Sequence, residues 1–210
     1  MKTYAFIDAA NLFYGGEKSL GWKIDYRKLI KYLKNKYQVT DTYYFGGVET
    51  QGYNHEYLKN ETVSLKELKE SLVSYITKQG KILNEAKLLL LSRHLQRIKF
   101  YLKLEQFGYR LFLKPVKTYY QDDGTTQRKA NCDVEMAFHL MKEKDNFDKV
   151  VILSGDGDFL PLLKYLKELG KEVIVLSRGP RTAKEIRQFA GSNFRDFVRL
   201  EKEIKFEEKG

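Results

Sequence analysis

The sequence predicts an α/β fold built on a mostly parallel sheet with helices over both faces. Three observations predict it. Short apolar runs such as YAFI (4–7), KVVILS (149–154) and KEVIVLS (171–177) read as strands buried on both faces. The stretches between them carry apolar residues three and four apart, the period of a helix. Only three prolines occur, and no Pro/Gly/Ser-rich linker divides the 210 residues. One domain over 1–200 and a charged tail at 201–210 are therefore expected.

The elements follow in order. Strand 4–7 ends at Asp8. A helix is expected over 25–37, with Asp25 as its cap and Tyr26, Leu29, Ile30 and Leu33 as its apolar stripe. TDTYYFGG holds a strand at 42–45 that stops at glycines. Residues 61–80 and 84–108 both read as helical, with leucines three and four apart and Lys and Glu between them. Together they make a helical insertion at about 49–103, more than two strands need for a connection. Its charges suit a solvated face, a nucleic-acid surface, or a contact with a protein partner or a second copy.

YRLFLKP (109–115) is a strand closed by Pro115, and KTYYQDDGTTQRKAN after it is expected as a polar loop. DVEMAFHLMKE (133–143) is a helix whose inner side is expected at Val134, Ala137, Phe138, Leu140 and Met141. After strand 149–154, the helix FLPLLKYLKELG has Pro161 in its first turn and Gly170 at its end, both favourable signals. Strand 171–177, helix 182–190 and a short strand at 194–198 complete the series. The tail LEKEIKFEEKG is expected to fray.

Composition narrows the function. Lys and Arg number 38 against 28 acidic residues, a formal net charge of +10, which suits a polyanionic partner. Cys132 is the single cysteine and cannot form an internal disulfide; with only His55, His94 and His139 beside it, zinc is a poor fit. No run is apolar enough to span a membrane, and the N-terminus lacks a secretory pattern. A cytoplasmic protein is expected.

The chemistry is expected where parallel strands end, because sites in such sheets form outside their carboxyl ends. Asp8 follows the first strand, and ILSGDGDF (152–159) puts Asp156 and Asp158 after another. Gly and Asp are also common turn residues. Asp133 opens the helix leading into strand 149–154, which places it on the same side; N-terminal capping is its other reading. Four carboxylates converging there would raise one another's pKa, and a divalent cation relieves that repulsion. Hard oxygen ligands suit Mg²⁺ or Mn²⁺, and such an ion beside a polyanion suits phosphodiester hydrolysis. Asn11 is placed to hold a water or a phosphate oxygen, or to cap the following segment. Ser154 is placed to hydrogen-bond a carboxylate or substrate, and Gly155 and Gly157 to let substrate approach. No nearby histidine activates Ser154 as a nucleophile.

FIDAANLF (6–13), KANCDVEMAFHLM (129–141) and VVILSGDGDFLPLLKYLKELGKEVIVLS (150–177) together resemble the NYN family, the PIN-like domains of the LabA/DUF88 type. The resemblance implies a Rossmann-like, three-layer α/β sandwich and metal-dependent RNA cleavage by clustered acids. The matching positions are Asp8, Asn11, Asp133, Asp156 and Asp158, with Lys129 where the family often has a lysine. Arg128 and Lys184 join Lys129 as expected phosphate contacts. Two departures stand out: His139 and Asn193 occupy positions where the family commonly has aspartates, which weakens a second metal site.

A Mg²⁺- or Mn²⁺-dependent ribonuclease is therefore the leading expectation. A non-catalytic RNA-binding or scaffold protein is the alternative from another class. A phosphatase or a Toprim-like domain is the other enzymatic one. A phosphatase would carry its D-x-D after the first strand, where this chain has DAAN, and a Toprim-like site would carry a glutamate where this chain has Asp8.

Overall fold

A computed structural model describes residues 1–13, 18–120 and 125–207, with the side chains of 126–129 outside the description. Its first strand, β1 (Thr3–Asp8), is buried at every position from Thr3 to Ile7. Successive side chains of a strand point to opposite faces, so unbroken burial means that both faces of the sheet are covered. The same holds for β6 (Lys149–Leu153) and β7 (Glu172–Ser177), whose interior residues are all buried.

A short turn, α1 (Lys18–Leu20), precedes α2 (Tyr26–Tyr37). The helix forms where expected, for the expected reason. The Asp25 carboxylate accepts hydrogen bonds from the N–H groups of Arg27 and Lys28, each at 2.9 Å. Leu29, Ile30, Leu33 and Tyr37 form the buried stripe, and Gln38 ends the helix in the left-handed region at φ 54°. Asp25→Ala is expected to lower stability by about 1 kcal/mol, with no change in the denaturant m-value. Equal midpoints of urea unfolding for the two proteins would contradict the capping role.

The chain continues through β2 (Val39–Val48), α3 (Leu65–Gln79), α4 (Glu85–Phe107), β3 (Tyr109–Pro115), β4 (Lys117–Tyr120) and β5 (Thr126–Lys129). Then come α5 (Asp133–Lys142), β6, α6 (Leu160–Glu168), β7, α7 (Lys184–Ala190), β8 (Phe194–Asp196) and α8 (Glu201–Ile204). The main sheet has the order β3-β2-β1-β6-β7-β8. The pairs β1–β2, β1–β6, β6–β7 and β7–β8 are all parallel. This is a mixed α/β fold with a largely parallel sheet.

The chain forms two compact units. The first is Met1–Phe45, Phe107–Arg110 and Cys132–Gly210; the second is Gly46–Gln106 and Leu111–Asn131.

In the first unit, three expectations change. Helix α5 buries Met136, His139 and Leu140, whereas Val134 and Phe138, expected inside, are exposed. The true stripe follows i, i+3, i+4, and the polar His139 in its middle disguised it. Residues 201–207 of the charged tail pack instead of fraying, and 208–210 lie outside the described residues. Ile204 is fully buried, its carbonyl accepts the Asp25 N–H at 2.8 Å, and the Phe206 N–H donates to the Lys23 carbonyl at 2.9 Å. The final strand is only three residues long and gives way to a 3-10 turn at Phe197–Leu200.

In the second unit, α3 buries Leu65, Leu68 and Leu72, and α4 buries Leu91, His94, Ile98, Tyr101 and Leu104. The Tyr101 hydroxyl donates to the Gly47 carbonyl at 2.7 Å. The expected polar loop after Pro115 is in part a second sheet: β4 and β5 pair antiparallel. Neither face of β4 is buried, so no alternation of apolar residues announced it.

Candidate functional site

The sheet changes direction between β1 and β6. From β1 the chain crosses to β2 on one side, and from β6 to β7 on the other. A crevice outside the carboxyl ends of two such strands is where ligands bind in open α/β sheets. The register pairs Ile7 with Leu153, so Asp8 and Ser154 emerge side by side.

Asp8 is held on several sides. Its Oδ1 accepts the N–H groups of Ala10 and Asn11 at 2.9 and 3.1 Å. Its Oδ2 accepts the Ser154 hydroxyl at 3.2 Å. Ser154 Oγ in turn accepts the Asp156 N–H at 3.3 Å, and Asn11 Oδ1 accepts the Gly155 N–H at 3.1 Å. These bonds tie the end of β1 to the loop after β6. Burial pushes the Asp8 carboxyl up to about 6. The Asp133 charge adds to that rise, while the hydrogen bonds from Asn11, Ser154 and Ala10 oppose it. Asp133, the first residue of α5, is thus near enough for its charge to be felt at Asp8.

The other two aspartates have mainly local engagements. Asp156 Oδ1 accepts the Asp158 N–H at 3.0 Å, capping the 3-10 turn Gly157–Phe159. Asp158 is exposed. Among the described residues, no three His, Cys, Asp or Glu side chains are grouped so as to hold a metal ion. The expected gathering of four carboxylates around an ion is therefore not found there. Asp8 and Asp133, whose charge is felt at Asp8, are hard oxygen donors of the kind Mg²⁺ or Mn²⁺ accepts. Such ions are often held by one or two carboxylates with water completing the shell. The chemistry of these two donors fits that arrangement.

His139 and Asn193 have other engagements. His139 is buried and packs against Phe45 and Phe138, with ring centroids 5.6 and 5.3 Å away. Asn193 donates from Nδ2 to the Val173 carbonyl at 3.2 Å, near the start of β7 rather than its carboxyl end. Lys184 is exposed at the start of α7. That start is attached to the site loop through the Ala183 N–H and the Gly155 carbonyl, 2.9 Å apart. Arg128 and Lys129 belong to β5, and their side chains lie outside the described residues.

Sequence reasoning missed three features. Ser177 and Thr182 are buried, share a hydrogen bond through their hydroxyls, and press against Gly155. Glu185 brings another carboxylate to the loop: its Oε1 lies 2.6 Å from where a Cβ on Gly157 would stand. Asp196, at the end of β8, accepts from Arg178 Nη1 at 2.9 Å and from the Gly179 N–H at 3.0 Å. No spacing pattern signals them, because the fold, and not the local sequence, brings the connection after β7 against the loop after β6.

Fold and site together define an α/β domain with carboxylates at the ends of its central parallel strands. The chain belongs to the NYN domain family, which it matches over residues 60–198. Asp133, Asp156 and Asp158 lie inside that stretch, and Asp8 and Asn11 precede it. The low amplitude and bright protein LabA of Synechococcus elongatus is 22% identical over 186 residues, covering 87% of this chain and 76% of that protein. Among solved structures, a Vibrio parahaemolyticus protein of unknown function superposes with a TM-score of 0.62 at 18% identity, over 98% of this chain and 96% of that one. That likeness concerns the fold. The bacteriophage T5 D15 protein crystallised with metal ions is more distant, with a TM-score of 0.44 at 16% identity, over 89% of this chain and 59% of that one. Among the described residues, no helix is long and apolar enough to cross a membrane.

Proposed function

We propose that this NYN domain binds RNA, and that it does so without a metal centre built from three or more carboxylates. The observation that supports this reading is a formal net charge of +10 beside a site where no three metal-ligating side chains are grouped among the described residues. Excess cations attract a polyanion by releasing its counterions, whatever its sequence. RNA is the polyanion that the family resemblance implies. Lys184, Lys129 and Arg128 are the proposed phosphate contacts.

A specific observation favours a second reading, a Mg²⁺- or Mn²⁺-dependent ribonuclease with a PIN-like fold. Asp8 is pushed up to about 6 by burial, with Asp133 adding to the rise, and a divalent cation relieves that pairing. Asp8 and Asp133 would hold such an ion, which would supply positive charge to the phosphate and a more acidic water. The chain's own part is positional. Ser154 and the N–H groups of Ala10 and Asn11 fix the Asp8 carboxylate, and Asn11 holds the Gly155 backbone.

The test measures RNA binding and RNA cleavage separately. With a chelator present, affinity for unstructured RNA is expected to fall as salt rises, by about 0.7 log unit per log unit of salt for each phosphate contacted. A slope near zero removes the polyanionic partner and the proposal with it. Adding Mg²⁺ or Mn²⁺ then separates the readings. RNA left intact supports binding alone. Cleavage that Asp8→Asn and Asp133→Asn both abolish establishes the ribonuclease and overturns the reading of binding alone.

A further inference from the structure

The second unit carries a surface that the strand-end site does not explain. Strands β4 and β5 form a two-stranded ribbon, and all four residues of β4 are exposed. A two-stranded ribbon gains little stability on its own in water. This one presents large aromatics on both faces: Tyr119, on the face of Lys117, is 52% exposed, and Tyr120, on the other, 85%. Beside it stands Tyr57, 53% exposed. The ring of His55 meets Tyr57 edge-on with centroids 4.7 Å apart, and the Lys117 ammonium lies 5.7 Å from the Tyr57 ring centroid.

The charge on the ribbon is one-sided. Its two strands contain Lys117, Arg128 and Lys129 and no acidic residue; Asp122 and Asp123 lie between the strands, outside the described residues. The register sets Lys117 directly opposite Lys129 and Thr118 opposite Arg128. Tyrosine supplies a flat, rigid face with few rotatable bonds to freeze. Flat aromatics interleaved with cations are the chemistry that holds unpaired bases and their phosphates. A duplex hides its base faces by internal stacking and offers such a platform little.

We propose that the face of the β4–β5 ribbon that carries Lys117 and Tyr119, with Tyr57, is a stacking platform for single-stranded RNA, with Tyr57 and Tyr119 receiving bases and Lys117 contacting the backbone. The inference rests on the RNA reading above, and it adds the single-stranded preference and the residues responsible.

The experiment uses the full chain, with a chelator present so that no cleavage intervenes. Binding of a fluorescently labelled, unstructured RNA and of the same RNA in a duplex is compared for three proteins. These are the wild type, a Tyr57→Ala/Tyr119→Ala variant and a Tyr57→Phe/Tyr119→Phe variant. Both tyrosines are exposed, so the three should share one thermal unfolding midpoint. The alanine variant is expected to bind single-stranded RNA about tenfold more weakly or worse, with duplex binding unchanged. The phenylalanine variant keeps the ring and should bind like the wild type. Three results overturn the platform while leaving RNA binding in place: no loss in the alanine variant, an equal loss in the phenylalanine variant, or an equal loss on duplex. A wild type that binds neither RNA overturns the RNA reading itself, and the platform with it.

Discussion

Asp8→Asn is expected to make the protein more stable at neutral pH. The folded-state Asp8 carboxyl is pushed up to about 6, against an ordinary value of 3.8. Between those values the folded chain holds a proton that the unfolded chain has lost. Stability from this group is therefore fully present below about pH 4, and it falls as pH rises through 6. The whole effect amounts to about 3 kcal/mol. An asparagine has no charge to bury, and its carbonyl oxygen still accepts the N–H groups of Ala10 and Asn11. Urea unfolding at several values between pH 4 and 8 should show the wild type declining and the variant nearly level. A wild type as stable at pH 8 as at pH 4 would mean that the ionised carboxylate is at no disadvantage in the fold. Magnesium adds a second readout. If Asp8 and Asp133 hold an ion, the wild-type melting temperature rises with Mg²⁺ concentration and that of Asp8→Asn does not.

Gly155→Ala is expected to be strongly destabilising. A Cβ there would stand 2.6 Å from Ser177 Oγ, 2.8 Å from Thr182 Oγ1 and 2.9 Å from Thr182 Cα. The last of these is backbone and cannot swing aside. The two hydroxyls are buried, and Thr182 Oγ1 also donates to the Arg178 carbonyl at 2.8 Å. Relief requires the strand-end loop to move away from the start of α7, which stretches the hydrogen bond from the Ala183 N–H to the Gly155 carbonyl. Overpacking of this kind costs about 3 kcal/mol. Gly157→Ala is the internal comparison. Its nearest neighbour would be Glu185 Oε1 at 2.6 Å, the far end of a flexible side chain, so a cost of about 1 kcal/mol is expected. Chemical unfolding of both variants decides the point: equal losses would show that the Thr182 backbone yields after all.

The elements that could be read in advance share one property, namely that local sequence alone reports their burial. The runs at 4–7, 149–154 and 171–177 became β1, β6 and β7 because strands buried on both faces need unbroken apolar side chains. Helix α2 formed because its cap, stripe and period agree. The β4–β5 ribbon escaped notice because solvent contacts both faces of β4, leaving no alternation to detect. Helix α5 was assigned the wrong inner face because His139, a polar residue, occupies the core position. The C-terminal segment looked like a solvated tail because its charges outnumber the single Ile204 that anchors it.

By itself, the sequence determined the alternation of strands and helices, the family blocks, the basic excess, and the arrival of Asp8 and Ser154 at strand ends. All of these depend on periods and neighbours a few residues apart. Only the tertiary structure decided which of the four aspartates interact. Asp133 reaches Asp8 through the field at that carboxyl. Asp156 caps its own turn, Asp158 is exposed, and Glu185, unforeseen, joins the loop. Coulomb energies and hydrogen bonds change over a few ångströms. Distances between residues more than a hundred positions apart are set by the register of β1 against β6 and by the packing of α5 and α7, which no local pattern records.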